Sequence, residues 1–469
     1  MNRLFEQWAG EPCINTYQLT ANGSNRLYSR LEGATKRCIA TINDDVRENE
    51  AFFHFAKEMK ARGVNVPEVY AVSTDRRTYL QEDLGNVSLY TFLNSRKSSG
   101  VDITEAMREF YRKAIDNLIV FQSSCRDIDF SRSYPRPCFD RQALSWDLNY
   151  FKYYFLRLFH VAFDEQLLED DFQQLMDFLL DGDCGYFMHR DYQSRNIMLR
   201  DGELYVIDFQ GARQGAAEYD LASLLYSSKS DVPDGMRTEL LEYYIGRRSV
   251  RDGDAFDAKT FRSRYYGYVL ARIMQAMGAY GYRGIIEKKE HFIKSIPFAV
   301  NNLRNILSSV TLPVAMPHLL TVLGAITEMP EYAKESETLT VSVFSFSYRK
   351  SIPFDRSGNG GGYVFDCRAL PNPGLYDEYK QLNGRDQAVK DFFDDHPEAG
   401  QYLEHLWVVV DQSVDAYIER GYARLMLCFG CTGGRHRSVY CAEQTALHLR
   451  NKYEGRVNVN VFHLESGKF

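Results

Sequence analysis

The sequence predicts two domains of different class: a two-lobed α+β domain, followed by a mainly parallel α/β domain. Three observations predict this. The chain has 469 residues, more than one hydrophobic core accommodates. Its first part opens with short β-rich runs around one helix and then turns mostly helical. After a charged, proline-bearing stretch (EMPEYAKESET, 328–338), strand-like and helix-like runs alternate, which implies a parallel sheet with crossover helices. The expected division is 1–328, with lobes at about 1–85 and 86–328, a linker at 329–338, and a second domain at 339–469.

In chain order, Phe52, Phe53, Phe55, Ala56 and Met59 recur at helical spacing and predict a helix over 46–62, stopped by Gly63. Short strands are expected at 69–72 and 78–81, and mostly helix over 104–180. Strands at 186–188, 197–199 and 205–207 surround an Asp201-Gly202 hairpin turn, and helices follow from 221 to about 327. In the second domain, strands are expected at 339–348, 363–366, 424–429 and 457–463. Helices there are expected at 386–393, 401–420 and 438–453.

The composition, 45% hydrophobic and 25% charged, is that of a globular protein. The net charge of −7, from 56 basic and 63 acidic residues, argues against a general nucleic-acid binder. No run of about 18 apolar residues predicts a membrane span, and the first residues lack the apolar run of a signal peptide. Cys428 and Cys431 have no second closely spaced pair to complete a zinc site, so reduced thiols and a cytoplasmic location are expected.

The segment from His189 to Asn196 carries chemistry. Phosphoryl transfer needs a base to orient a hydroxyl and oxygen ligands to hold a metal on the phosphates. Asp191, with Asn196 five residues on and Asp208 leading Phe209 after the next strand, has that spacing. One Asn and one Asp suit Mg²⁺, which prefers few protein oxygens. A bare HxD triplet is weak; the full HRDYQSRN followed by an apolar strand and DF is specific.

These residues, with VIDFQGARQG and YDLASLL, resemble the aminoglycoside-phosphotransferase and choline-kinase superfamily. Within it they are most similar to bacterial kinases of the anomeric hydroxyl of N-acetylmuramate and N-acetylglucosamine. The resemblance implies a protein-kinase-like fold, ATP and Mg²⁺ as cofactors, Asp191 as base, and Asn196 and Asp208 as metal ligands. Asp220 is expected to cap the helix that follows it. In the first lobe, Gly23, Ser24 and Arg26 lie in a turn placed to cover a nucleotide, while Gln81 and Asp83 lie in a hinge-like segment. The strand CIATI lacks the expected lysine, leaving Lys36, Arg37, Arg26 or Arg30 as substitutes, with Glu50 or Glu48 as the helix glutamate. Trp146, Asn149 and Tyr150 form a polar-aromatic stripe suited to a sugar acceptor, or an ordinary amphipathic helix face.

In the second domain, Cys431 to Arg437 form a glycine-rich turn between a strand and a helix, suited to an anion. The same residues have the count of a cysteine-phosphatase loop. FSFSYRK, FDCRALPNP, LNGRD and GCTGGRHRSVYCAEQ together resemble the C-terminal domain of RapZ. That resemblance implies a glucosamine-6-phosphate-like ligand held by Asp366, Arg368, Cys431, Thr432, Gly433 and Arg437. Gly374 stands where enterobacterial members carry a ligand-holding histidine. Residues 339–469 hold 15 Lys plus Arg against 16 Asp plus Glu, a balance of −1, and lack the family's basic tail, which disfavours RNA as a partner. The expected function is an amino-sugar kinase fused to a phosphosugar sensor. A regulatory binding protein with a degenerate kinase half, and an aminoglycoside or choline kinase, are the alternatives; a homo-oligomer is left open.

Overall fold

The computed structural model describes residues 1–19, 26–98, 100, 102–228, 232–329, 332, 338–350, 352–353, 355 and 362–465. Gly23 and Ser24, and most of the segment 329–338, lie outside them. The chain forms two compact units: Met1–Ala279 with Asn301–Leu323, and Tyr280–Val300 with Gly324–Phe469. Among the described residues no helix is long and apolar enough to cross a membrane.

In the first unit, β1 (Asn15–Leu19), β2 (Leu27–Glu32), β3 (Arg37–Ile42), β4 (Val69–Val72) and β5 (Thr78–Gln81) form an antiparallel sheet in the order β1-β2-β3-β5-β4. Helix Val46–Ala61 crosses from β3 to β4; Asp45 caps it by accepting from the N–H groups of Arg47 and Glu48. Strand register sets Tyr28 opposite Thr41, and Thr41 opposite Tyr79, in one row across the sheet. Phe52 of the helix packs on Tyr79 (5.2 Å between centroids) and stacks on Phe209 (4.9 Å), joining sheet, helix and the Asp208-Phe209 turn. Burial of one such ring contributes about 1.5–3 kcal/mol.

The helical part carries two small antiparallel pairs, β6 (Tyr186–Met188) with β9 (Arg213–Gly215), and the hairpin β7 (Ile197–Arg200) with β8 (Glu203–Val206). Strand β9 and an N-terminal helix, Asn2–Ala9, are absent from the sequence reading. A three-residue strand is too short to show a period, and the helix buries only Phe5.

In the second unit, β10 (Leu339–Ser347), β11 (Tyr363–Asp366), β12 (Arg424–Cys431) and β13 (Val457–His463) form a parallel sheet in the order β11-β12-β10-β13. Val341, Val343, Leu427 and Phe429 from the sheet share a core with Leu403, Val410 and Val414 of helix Pro397–Glu419. Ala442, Ala446 and Leu449 of helix Arg437–Lys452 complete it. In parallel α/β sheets ligands bind beyond the carboxyl ends of strands, where β11 ends at Asp366 and β12 at Cys431.

Candidate active site and candidate anion pocket

The loop after β6 is held from below. Asp220, fully buried in helix Ala217–Leu225, accepts from the backbone N–H of His189 (2.7 Å) and of Arg190 (2.9 Å). It is therefore not the helix cap the sequence predicts: the helix begins earlier, at Ala217, and the carboxylate reaches across to the loop. Burial pushes its pKa up to about 6, against the pull of His189 and the two N–H donors. His189 Nε2 bonds the Ile207 carbonyl (2.9 Å), and its Nδ1 takes the Asp191 N–H (3.2 Å), so Nε2 is the protonated nitrogen. Arg190, at φ 75°, turns to Asp147 (2.6 Å), which lies on the same helix as Trp146. Each of these contacts fixes the backbone on either side of Asp191.

Asp191 itself sits among donors. Arg272 Nη2 reaches its Oδ1 at 2.8 Å and Arg195 Nη2 its Oδ2 at 3.0 Å, with Gln193 also donating to Oδ1. Burial raises its pKa; Arg195 and Arg272 outweigh burial and hold the carboxyl below the usual range. Asn196 donates its amide N–H to the Asp191 carbonyl (2.9 Å), which leaves its amide oxygen as acceptor. The Asn196 carbonyl accepts from the Ile207 N–H (3.0 Å), so Asn196 and the residue preceding Asp208 are tied together. Asp208 stands at φ 66°, with Oδ1 accepting from Gln210 (2.8 Å). Two oxygen donors of this kind fit a hard divalent cation that keeps most of its ligands from phosphate and water.

In the first lobe, the buried Arg26 pairs with Glu48 at 3.0 Å, and Asn43 holds the other Glu48 oxygen at 2.8 Å. Glu50, two residues on, points elsewhere and pairs with Arg76. Glu48, rather than Glu50, thus pairs with the buried Arg26. Asp83 is taken by a fork from Arg30 (2.7 and 2.9 Å), and Gln81 donates to Thr41 (3.2 Å). Trp146 is 47% exposed, Asn149 bonds Ser145, and Tyr150 packs edge-on against Tyr154. Arg272 and Asp147 are the residues that sequence reading missed. They lie 81 and 44 positions from Asp191, and no local pattern links them to it.

In the second unit, the turn after β12 folds around Cys431, whose Sγ accepts the Gly434 N–H (3.2 Å) and lies 3.2 Å from Ser438 Oγ. Gly434 needs its hydrogen: φ is 71°, and a Cβ would sit 2.6 Å from the Glu465 side chain. Arg437 donates to the carbonyls of Arg368 (2.9 Å) and Leu370 (3.2 Å) and reaches Thr432 Oγ1 (3.4 Å). It therefore clamps the 367–370 turn to the anion loop. Arg368 forks onto Asp366 (2.6 and 2.9 Å), and the contact holds the Asp366 carboxyl low. A Cβ on Gly374 would meet the His436 ring at 3.3 Å. The predicted pocket residues are therefore gathered at one end of the sheet.

The phosphotransferase enzyme family profile matches residues 17–253, and the RapZ C-terminal domain profile matches 339–466. A nucleotide-binding protein of Acidothermus cellulolyticus is 40% identical over 132 residues, 28% of this chain and 41% of that protein. The chain thus spans about two fifths of such relatives. An ethanolamine kinase of Plasmodium vivax superposes on 62% of this chain and 82% of its own, at TM-score 0.44 and 13% identity. An aminoglycoside phosphotransferase bound to ADP and hygromycin B covers 66% of this chain and 98% of its own, at TM-score 0.41 and 12% identity.

Proposed function

This chain belongs to the phosphotransferase enzyme family, and on that premise we propose that its first unit transfers the γ-phosphoryl of ATP to a hydroxyl of an amino sugar. The acceptor in this reading is N-acetylglucosamine or N-acetylmuramate, at the anomeric hydroxyl, and the second unit binds a phosphosugar that reports on supply. The single observation that carries the kinase reading is the set Asp191, Asn196 and Asp208, held on one braced loop and the adjoining turn.

Asp191 orients the acceptor hydroxyl and takes its proton as the oxygen attacks phosphorus. A low carboxyl pKa keeps it ionised at neutral pH, and the loop hydrogen bonds keep it still. Asn196 and Asp208 would hold Mg²⁺, which neutralises charge on the transferring phosphates when bound. Arg195 stands beside the base. Two guanidinium groups on Asp191 also support a neutral or anionic acceptor over an ammonium-bearing one, since the carboxylate is already matched.

In the second unit, the Cys431–Arg437 turn opens a helix of 16 residues, so its N–H groups and the helix field favour a phosphate. In this reading Asp366 meets a protonated 2-amine. One observation favours the regulatory reading instead: β3 presents Thr41, not a lysine, on the face that meets the helix and the Asp208 turn.

Labelled ATP with a panel of acceptors tests this reading. Transfer to N-acetylated amino sugars, absent with aminoglycosides and choline, is the expected result. Turnover on an aminoglycoside would overturn the acceptor class, and Mg-ATP binding without transfer to any acceptor would favour the regulatory protein.

A further inference from the structure

In protein kinases the phosphates of ATP are met by a lysine on the third strand, kept in place by a glutamate of the following helix. Here the third strand is Arg37–Ile42, and its cleft-side position is Thr41, buried and bonded to Gln81. The helix glutamate nevertheless remains: Glu48 lies in the first turn of Val46–Ala61, with one oxygen on Asn43. Its other oxygen meets a guanidinium from the strand next door. Arg26 immediately precedes β2, two residues before Tyr28, and it neighbours both Tyr28 and Tyr79 of the Tyr28–Thr41–Tyr79 row.

That row lies toward the proposed metal site. Arg26 lies beside Tyr79, Tyr28 and Glu48, and Tyr79 is joined to the Asp208-Phe209 turn through Phe52, which packs on both Tyr79 and Phe209. A buried arginine is an expensive way to fasten a strand to a helix, because an apolar pair holds as well. The same guanidinium beside a triphosphate is well matched, since its planar fork suits phosphate oxygens.

We infer that Arg26 is the cation that binds the nucleotide phosphates, having replaced the third-strand lysine from the neighbouring strand, with Glu48 as its positioning residue. This rests on the proposed kinase function and deepens it. It also removes the main ground for calling the kinase half degenerate, because the ion pair is kept and only its address has changed.

Titration of the full chain with Mg-ATP and with adenosine separates the possibilities. Arg26→Met is expected to lower Mg-ATP affinity roughly ten- to a hundredfold, the worth of a charge-assisted contact, while adenosine affinity stays unchanged. In turnover the KM for ATP rises and that for the acceptor does not. Arg26→Gln, which keeps length and polarity, shows the same selective loss and stands in if Arg26→Met does not fold. Glu48→Gln gives a smaller loss of the same selectivity, since the cation remains without its anchor. Unchanged Mg-ATP affinity in the Arg26 variants, or an equal fall for adenosine, would overturn the assignment. If the wild-type chain bound no Mg-ATP at all, the kinase reading itself would fail, a distinct result.

Discussion

Asp191 lies between opposed influences, burial and two arginines, and the balance decides when it can act. Its replacement by asparagine keeps the shape and removes the proton acceptor. Asp191→Asn should lower kcat by about 10²–10⁴-fold with Mg-ATP affinity nearly unchanged, measured by initial rates and titration calorimetry. Arg272 sets the pH range of that base. Removing its charge leaves the burial penalty in place, so the Asp191 carboxyl must rise in Arg272→Met. The acidic limb of kcat/KM should then move to higher pH than in the wild type, where the depressed carboxyl keeps the limb low. A limb that does not move would mean the Arg272 contact is absent during turnover. The spacing of Asp191, Asn196 and Asp208 was readable because the chemistry is encoded locally. Arg272 and Asp147 were not, since only tertiary packing brings them to the loop.

At the level of elements, the catalytic loop is an irregular stretch that has to be built by its neighbours. Asp220 satisfies two N–H groups that no strand or helix could reach, and each orphaned donor costs about 1–3 kcal/mol. Asp220→Ala should therefore lower stability by at least that amount and reduce kcat, checked by chemical denaturation beside initial rates. The sign of the pH effect follows from its raised pKa. The folded state binds the proton more tightly than the unfolded one, so the contribution of Asp220 is most favourable at low pH. It declines as pH rises from the ordinary carboxylate range to about 6, and is flat above. The motif YDLASLL marked a helix correctly and misled on the role of its aspartate, because capping is inferred from sequence neighbours and this partner lies 30 residues away. Glu48 and Glu50 show the same limit. Both sit in the first turns of one helix, two positions apart, and only the direction of each side chain separates the cleft from the solvent.

At the scale of the molecule, the buried cluster around the parallel sheet of the second unit is drawn wholly from residues beyond 338, from Leu339 to Val461. The alternation of strands and helices that predicted a parallel sheet reflects this self-sufficiency, as does the RapZ C-terminal match over 339–466. The assignment of 280–300 to the second unit left no sequence signal, since those residues read as more of the same helical run. Because this cluster closes within those residues, a fragment of residues 339–469 should fold and unfold in one cooperative transition, followed by circular dichroism. It should also bind glucosamine-6-phosphate: a ligand at a hundred times its Kd stabilises the folded state by about 2.7 kcal/mol, a shift easily read by thermal unfolding. Arg437→Ala is a poor probe of that binding, since its guanidinium also fastens the 367–370 turn. Asp366→Asn is the better one. Its carboxylate is shared with Arg368 at the pocket edge, so a 2-ammonium group must compete for an oxygen already bonded, whereas a 2-hydroxyl need not. Losing the charge should weaken glucosamine-6-phosphate and leave glucose-6-phosphate nearly untouched. Equal shifts for both sugars would assign Asp366 to holding Arg368 in place, and leave the amine to another group.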